Sequence, residues 1–184
     1  MNVPNSLTLV RIVLIPVFVV VFYLPWKWAH IATAAIFAAA ALTDWLDGYL
    51  ARLLKQTSVL GAFLDPVADK LIVAVALVLL VEAHPTPWFA VPAAVIIGRE
   101  ITVSALREWM AELGARAKVA VSKLGKVKTI SQMVALVMLL YREPIATVPV
   151  FQIGLVLLYL AAALTLWSMC LYLWAAWPRL SGAR

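Results

Sequence analysis

Apolar positions run through this chain in long blocks, and short polar clusters punctuate them. Pro4, Asn5 and Ser6 suit a helix start, and an apolar block follows from about Ser6 to Leu24. Pro25-Trp26-Lys27-Trp28 closes it. A second helix is predicted from about His30 to Leu54, then a polar connection over Lys55 to Ser58, then a third helix ending near Glu82. Pro85 and Pro87 break the chain before a fourth, about Trp88 to Met110. Gly114 to Lys123 reads as a basic loop, Gly125 to Tyr141 as a fifth helix, and Arg142-Glu143-Pro144 as a turn. A sixth helix spans about Val148 to Trp177. Several of these blocks approach the roughly 20 residues a helix needs to cross a bilayer core.

Composition turns that pattern into a class. Of the 184 residues, 65% are hydrophobic and 13% charged, with a mean hydropathy of +1.00. Soluble domains have about half and about a quarter. The expectation is an all-α integral membrane protein, six transmembrane helices in one bundle, a single domain over residues 1–184. No low-complexity tract, long linker or internal repeat divides it.

The net charge of +6 would suit nucleic acid, but membrane position explains it better, and no nucleic-acid partner is expected. Six spans place both termini on one side. Arg11, Arg52, Lys55, Arg107, Arg116, Lys118, Lys123, Lys126, Lys128, Arg179 and Arg184 then fall near that side, against Lys27 and Arg142 on the other. The positive-inside bias makes it the cytoplasmic side. Cys170 is alone, which excludes an intramolecular disulfide and a cysteine metal site. No small-residue cleavage site follows the first block at a suitable distance, so a signal peptide is not expected. His30 and His84 read as interfacial residues, and the tryptophans as an aromatic belt.

Against this background, Thr43 to Lys70 stands out. It holds Asp44, Asp47, Asp65 and Asp69, which are all the aspartates in the protein. Asp44, Asp47, Gly48 and Ala51 stand at i, i+3, i+4 and i+7, on one face of the second helix. Gly61, Asp65 and Asp69 form a stripe at i, i+4 and i+8 on the third. Two such stripes on neighbouring antiparallel helices bring four carboxylates around one point, where they repel one another. Divalent cations resolve the repulsion, and hard oxygen ligands suit Mg²⁺ or Mn²⁺.

Gly48, Ala51 and Gly61 clear space beside the acids, and Arg52 has a fork of donors for a phosphate. Together these describe a site for a diphosphate ester. Pro66 cannot donate to the carbonyl of Ala62, so the third helix either starts at Asp65 as a cap or bends there. The plain alternative is that the acids cap helices and pair with Arg52, Lys55 and Lys70. It accounts for one acid at a time, not for the joint spacing.

The pattern Asp44-x2-Asp47-Gly48-x2-Ala51-Arg52-x8-Gly61-x3-Asp65-x3-Asp69 resembles the signature of the CDP-alcohol phosphatidyltransferases. The resemblance implies a six-helix membrane enzyme, usually a homodimer. It implies that Asp44, Asp47 and Asp65 bind two divalent metal ions, and that Asp69 is the general base and also a metal ligand. Gly48, Ala51, Arg52 and Gly61 would hold the CDP portion. Asn5-x2-Thr8-x2-Arg11 is similar to the family's Asn-Thr-Arg element near the cytidine diphosphate.

The signature specifies the donor and leaves the acceptor alcohol open. Arg99 lies deep in an apolar run, and Arg107 follows eight residues later, two turns along and about 80° around the helix, so both can point to the same cavity. A guanidinium in such a run needs a partner. Glu100 and Glu108 are the candidates, although adjacent residues do not face each other. Two arginines and a lysine near the start of the fifth helix would suit a phosphate dianion. Lys118 and Lys128 read as positive-inside charges only.

The stretches PNSLTLVRIVLIP, GREITVSALREWMAELG and VAVSKLGKVKT resemble the branch of the family whose acceptor is sn-glycerol 3-phosphate. This implies that Arg99, Arg107 and Lys126, with Lys123, bind the acceptor phosphate. The implied reaction moves a phosphatidyl group from CDP-diacylglycerol to sn-glycerol 3-phosphate and releases CMP. The implied setting is a bacterial cytoplasmic membrane, with membrane lipids around the acyl chains and the active site facing the cytoplasm. The alternatives are the same donor with serine, inositol phosphate or phosphatidylglycerol, and, more remotely, a cation transporter. A transporter predicts acids near mid-membrane on several helices, whereas these lie on two, beside Arg52.

Overall fold

The computed structural model of the chain describes the backbone over residues 3–54, 59–112 and 123–180. Side chains are described over the same residues except 3–8, 44–54, 59–63, 65, 123–124, 126, 175–176 and 178–180. Six helices make up the described fold: α1 (Val3–Tyr23), α2 (Ala29–Leu54), α3 (Val59–Ala83), α4 (Pro87–Glu112), α5 (Lys123–Tyr141) and α6 (Val150–Leu180). The α5–α6 turn adds only an isolated β-bridge, Ile145 to Val148. The predicted elements are all present. The ends differ by a few residues: α1 already begins at Val3, and α6 starts at Val150 and continues to Leu180.

The local reasons are simple. Pro87 occupies the first position of α4, where its missing N–H costs nothing, and the Thr86 carbonyl accepts from the amides of Phe89 and Ala90. Pro66 does not start α3 as a cap. The helix begins at Val59 and runs through the proline, because an apolar run on both sides of it favours continuing the helix over ending it. Pro16 and Pro92 likewise lie within α1 and α4.

The helices close into a ring. In order of packing, α1 lies against α2, α2 against α5, α5 against α6, α6 against α4, α4 against α3, and α3 against α1. Inside the ring Phe18, Phe37, Leu77, Leu80, Ile96, Leu136 and Leu158 are buried. The rings of Phe18 and Phe37 sit 6.1 Å apart between α1 and α2. α5 and α6 approach closely at Gly154: a Cβ there would lie 3.0 Å from the Met138 Cβ and 3.3 Å from the Ala135 carbonyl oxygen. Only glycine lets α6 come so near.

Among the described residues many large apolar side chains face outward from every helix with described side chains, including Val13, Val20, Leu42, Val78, Val91, Ile101, Ile130, Val156 and Trp167. Polar groups, by contrast, are buried inside: Arg11, Arg99, Lys128, Gln132 and Thr165. That inversion suits a bundle whose surroundings are lipid. Among the described residues α4 and α6 are long and apolar enough to cross a membrane, and shorter apolar stretches cover Leu9–Tyr23, Ala29–Thr43 and Val127–Tyr141.

At the end where α5 turns into α6, Arg142 adopts a left-handed backbone with φ 65°. Its guanidinium carbon lies 4.9 Å from the centroid of Phe22. His30 Nε2 lies 3.2 Å from a Glu143 carboxylate oxygen. His84 stacks on Phe89 with centroids 5.0 Å apart. Burial, with Arg142 nearby, lowers its pKa below the ordinary 6.5.

Candidate active site

Four of the helices frame a cavity of about 440 Å³, within the roughly 300–1,000 Å³ range of small-molecule sites. α3 supplies Asp69 and Lys70, α4 supplies Arg99, Glu100 and Arg107, α5 supplies Lys128 and Gln132, and α6 supplies Ser168 and Tyr172. Asp69, the last aspartate of the sequence pattern, therefore shares one cavity with both arginines of α4. Segments thirty and thirty-eight residues apart meet there, because α3 and α4 are neighbours in the ring.

The geometry at Arg99 explains how a guanidinium survives in an apolar helix. Its Nη1 donates to a Glu100 carboxylate oxygen at 2.7 Å, and its Nη2 donates to the Ser168 hydroxyl at 3.1 Å. Adjacent residues on a helix point apart, yet the long arginine side chain curls back to its neighbour; the sequence rule underestimated its reach. The same Glu100 oxygen accepts from Lys128 Nζ at 3.0 Å. Arg107 sits at the exposed rim, donating to the Tyr172 hydroxyl at 2.8 Å with its guanidinium 5.1 Å from that ring. Lys70 donates to the Ser104 hydroxyl, which itself donates to the Glu100 carbonyl, so α3 and α4 are tied beside the cavity.

Lys128 corrects the sequence reading. It is not a solvated positive-inside charge: it is 6% exposed, lines the cavity and is paired with Glu100. A buried ammonium needs a partner in place, and α4 provides it. The signal available in the sequence was the polar pair Lys128 and Gln132, one turn apart and so on one face of the helix. Ser168 and Tyr172 repeat that spacing on α6 and were also missed. The charged groups described around the cavity are Asp69, Glu100, Lys70, Arg99, Arg107 and Lys128, a net charge of +2. The cavity therefore favours an anion.

The remaining predicted positions are placed by backbone only, or lie outside the described residues. Asp44, Asp47, Gly48, Ala51 and Arg52 fall on α2, and Gly61 and Asp65 on α3; their side chains are outside the description, as are those of Asn5, Thr8, Lys123 and Lys126. Arg11 is buried in α1. Counted from the Leu54 and Val59 ends, Asp44 and Asp69 each lie ten residues into their helices, and Asp47 and Asp65 seven and six. At 1.5 Å per residue the two pairs stand about 15 Å and about 10 Å from the α2–α3 connection. Aspartate is the hard oxygen donor that divalent cations such as Mg²⁺ or Mn²⁺ take, so the residue types of this signature fit such ions.

Residues 1–167 match the family described as CDP-alcohol phosphatidyltransferase, and the chain belongs to that family. Its fold and acidic signature are those of a membrane-embedded transferase. It is 58% identical to the CDP-diacylglycerol–glycerol-3-phosphate 3-phosphatidyltransferase of Pseudomonas fluorescens, over 98% of this chain and 92% of the relative. The identity is also 58% to the proteins of that name from Sodalis glossinidius (96% of this chain, 95% of the relative) and Salmonella typhimurium (95% and 94%).

Proposed function

We propose that this protein transfers the phosphatidyl group of CDP-diacylglycerol to sn-glycerol 3-phosphate, forming phosphatidylglycerophosphate and releasing CMP. The carrying observation is that Asp69, Arg99 and Arg107 line one cavity. A base from the donor signature thus faces the cations suited to an acceptor phosphate. The near full-length similarity to relatives named for this reaction supports the choice of acceptor. Family membership also displaces the transporter alternative.

Asp69 takes the proton of the glycerol 1-hydroxyl as that oxygen attacks the lipid-side phosphorus of the diphosphate. The new P–O bond forms, the P–O bond to CMP breaks, and CMP leaves with the electron pair. Arg99 and Arg107, with Lys123 and Lys126, hold the glycerol phosphate so that its hydroxyl faces the reacting phosphorus. Their charge offsets the repulsion between two phosphorylated substrates. Asn5, Thr8, Arg11, Gly48, Ala51, Arg52 and Gly61 hold the CDP group. Asp44, Asp47, Asp65 and Asp69 would hold two Mg²⁺ or Mn²⁺ ions, which supply positive charge against the diphosphate when bound.

The same reading places the enzyme in the bacterial cytoplasmic membrane, with both termini and the cavity on the cytoplasmic side. The bacterial relatives and the distribution of basic residues support it. The homodimer rests on the family resemblance. Purified protein supplied with CDP-diacylglycerol and Mg²⁺ tests the reaction against four alcohols: glycerol 3-phosphate, serine, inositol phosphate and phosphatidylglycerol. CMP release with glycerol 3-phosphate is expected. Release with serine, or another of the alcohols, but not with glycerol 3-phosphate overturns the acceptor assignment.

A further inference from the structure

Arg99 and Lys128 are cations from different helices, both nearly buried, and both bound to the same oxygen of Glu100. Unshielded, two such charges in a bundle interior would repel and separate. Glu100 prevents this from a position where its carboxylate is only partly exposed, at 26%. The Ser168 hydroxyl fixes the other terminal nitrogen of Arg99 from α6. Each of these guanidinium nitrogens carries a second N–H, and the ammonium of Lys128 carries two more protons beyond the one given to Glu100. The carboxylate therefore fixes the cations while leaving donors for a ligand in the cavity that they all line.

We propose that Glu100 is a positioning residue for the acceptor site: one carboxylate oxygen bridges α4 and α5 and presents Arg99 and Lys128 together to the acceptor phosphate. Lys128 is then a phosphate-binding residue in its own right, effective only while Glu100 holds it. The inference rests on the acceptor site proposed above. It adds a requirement that neither arginine alone imposes: a negative residue is needed to bind a negative substrate. Simple charge counting gives the opposite sign, since removing a carboxylate from an anion site should tighten binding.

That difference in sign makes the test decisive. Glu100→Gln keeps the shape and one acceptor oxygen but removes the charge that holds two cations in place. The Michaelis constant for glycerol 3-phosphate should rise about ten-fold, the loss of about one charge-assisted hydrogen bond. The Michaelis constant for CDP-diacylglycerol should not change, and kcat should stay within about two-fold. Lys128→Met should raise the same constant about ten-fold. The double variant should be little worse than either single one, because the two act as one unit. An unchanged or lower constant in Glu100→Gln overturns the proposal, and so does a double variant that shows the product of the two single effects. A merely structural role would lower the melting temperature and the active fraction in detergent without altering the constant for one substrate only. Arg107→Ala serves as the control for the reading beneath it. If wild type uses glycerol 3-phosphate and Arg107→Ala weakens it while Glu100→Gln does not, only the role of Glu100 falls. If wild type does not release CMP with glycerol 3-phosphate, the acceptor assignment itself falls.

Discussion

The hydroxyl of Tyr159 on α6 donates to the carbonyl of Trp88 on α4 at 2.9 Å. That carbonyl lies four residues before Pro92, so the proline removes the amide that would ordinarily bond to it. The neighbouring helix thus repairs the defect that Pro92 introduces, as bundles in lipid commonly require. Tyr159→Phe should destabilise the protein by about 1 kcal/mol, the net worth of one hydrogen bond, and activity at low temperature should be retained. Pro92→Ala should remove most of that penalty in the double variant, since the helix then supplies its own donor. A Tyr159→Phe melting curve in detergent superimposable on wild type would show that the bond contributes nothing.

Asp69 is the described member of the acidic signature that reaches the cavity. Asp69→Asn keeps the shape of the side chain but cannot accept the hydroxyl proton. Turnover should fall by about 10²–10⁴-fold, the usual contribution of a positioned base, while CDP-diacylglycerol still binds. Single-turnover rates alongside binding of the CDP-lipid measure both. A near-normal rate would remove Asp69 as the base.

Arg107 lies at the exposed rim and is held by Tyr172. Arg107→Ala should mainly raise the Michaelis constant for glycerol 3-phosphate, by about 10- to 100-fold for a lost charged hydrogen bond. Tyr172→Phe keeps the ring under the guanidinium and should have a smaller effect in the same direction. Full activity with an unchanged constant in Arg107→Ala would make that residue structural.

His84 lies in the connection between α3 and α4, stacked on Phe89 and 5.1 Å from the ring of Phe151. Burial, then Arg142, depresses its pKa below 6.5. The unfolded chain therefore binds a proton there more readily than the folded one, and stability increases with pH across the interval between the two values. The contribution is complete above pH 6.5 and declines as pH falls below it. The melting temperature should drop on acidification through this range, and the His84→Phe variant should show a shallower drop. Equal slopes in the two proteins would exclude His84 as the source.

Gly154 marks a tight contact between α5 and α6. Gly154→Leu would push α6 away from Met138 and Ala135, and overpacking of this kind costs about 1–3 kcal/mol. Because α6 also carries Ser168 and Tyr172, lost activity at ordinary temperature should accompany the lower melting temperature. A fully active, equally stable variant would show that the interface adapts.

Much of this protein was already decided along the chain. Apolar blocks long enough to span a bilayer, broken by proline and charge, determined six helices. Fixed spacing put acids and small residues on shared helical faces, because i, i+3, i+4 periodicity is a local property, and the family signature they form pointed to the donor. The same rule put Arg99 and Arg107 two turns and about 80° apart on one helix, within reach of a common cavity. What the chain did not show is which helices become neighbours. The ring order, α1, α2, α5, α6, α4, α3, is a result of packing, and it alone brings Lys128 and Ser168 to Arg99. A lysine near a helix start has the same local pattern whether lipid head groups or a carboxylate will meet it. Only the tertiary structure turned Lys128 from a surface charge into a buried one, since the position of Glu100 on another helix determines whether its charge can be kept.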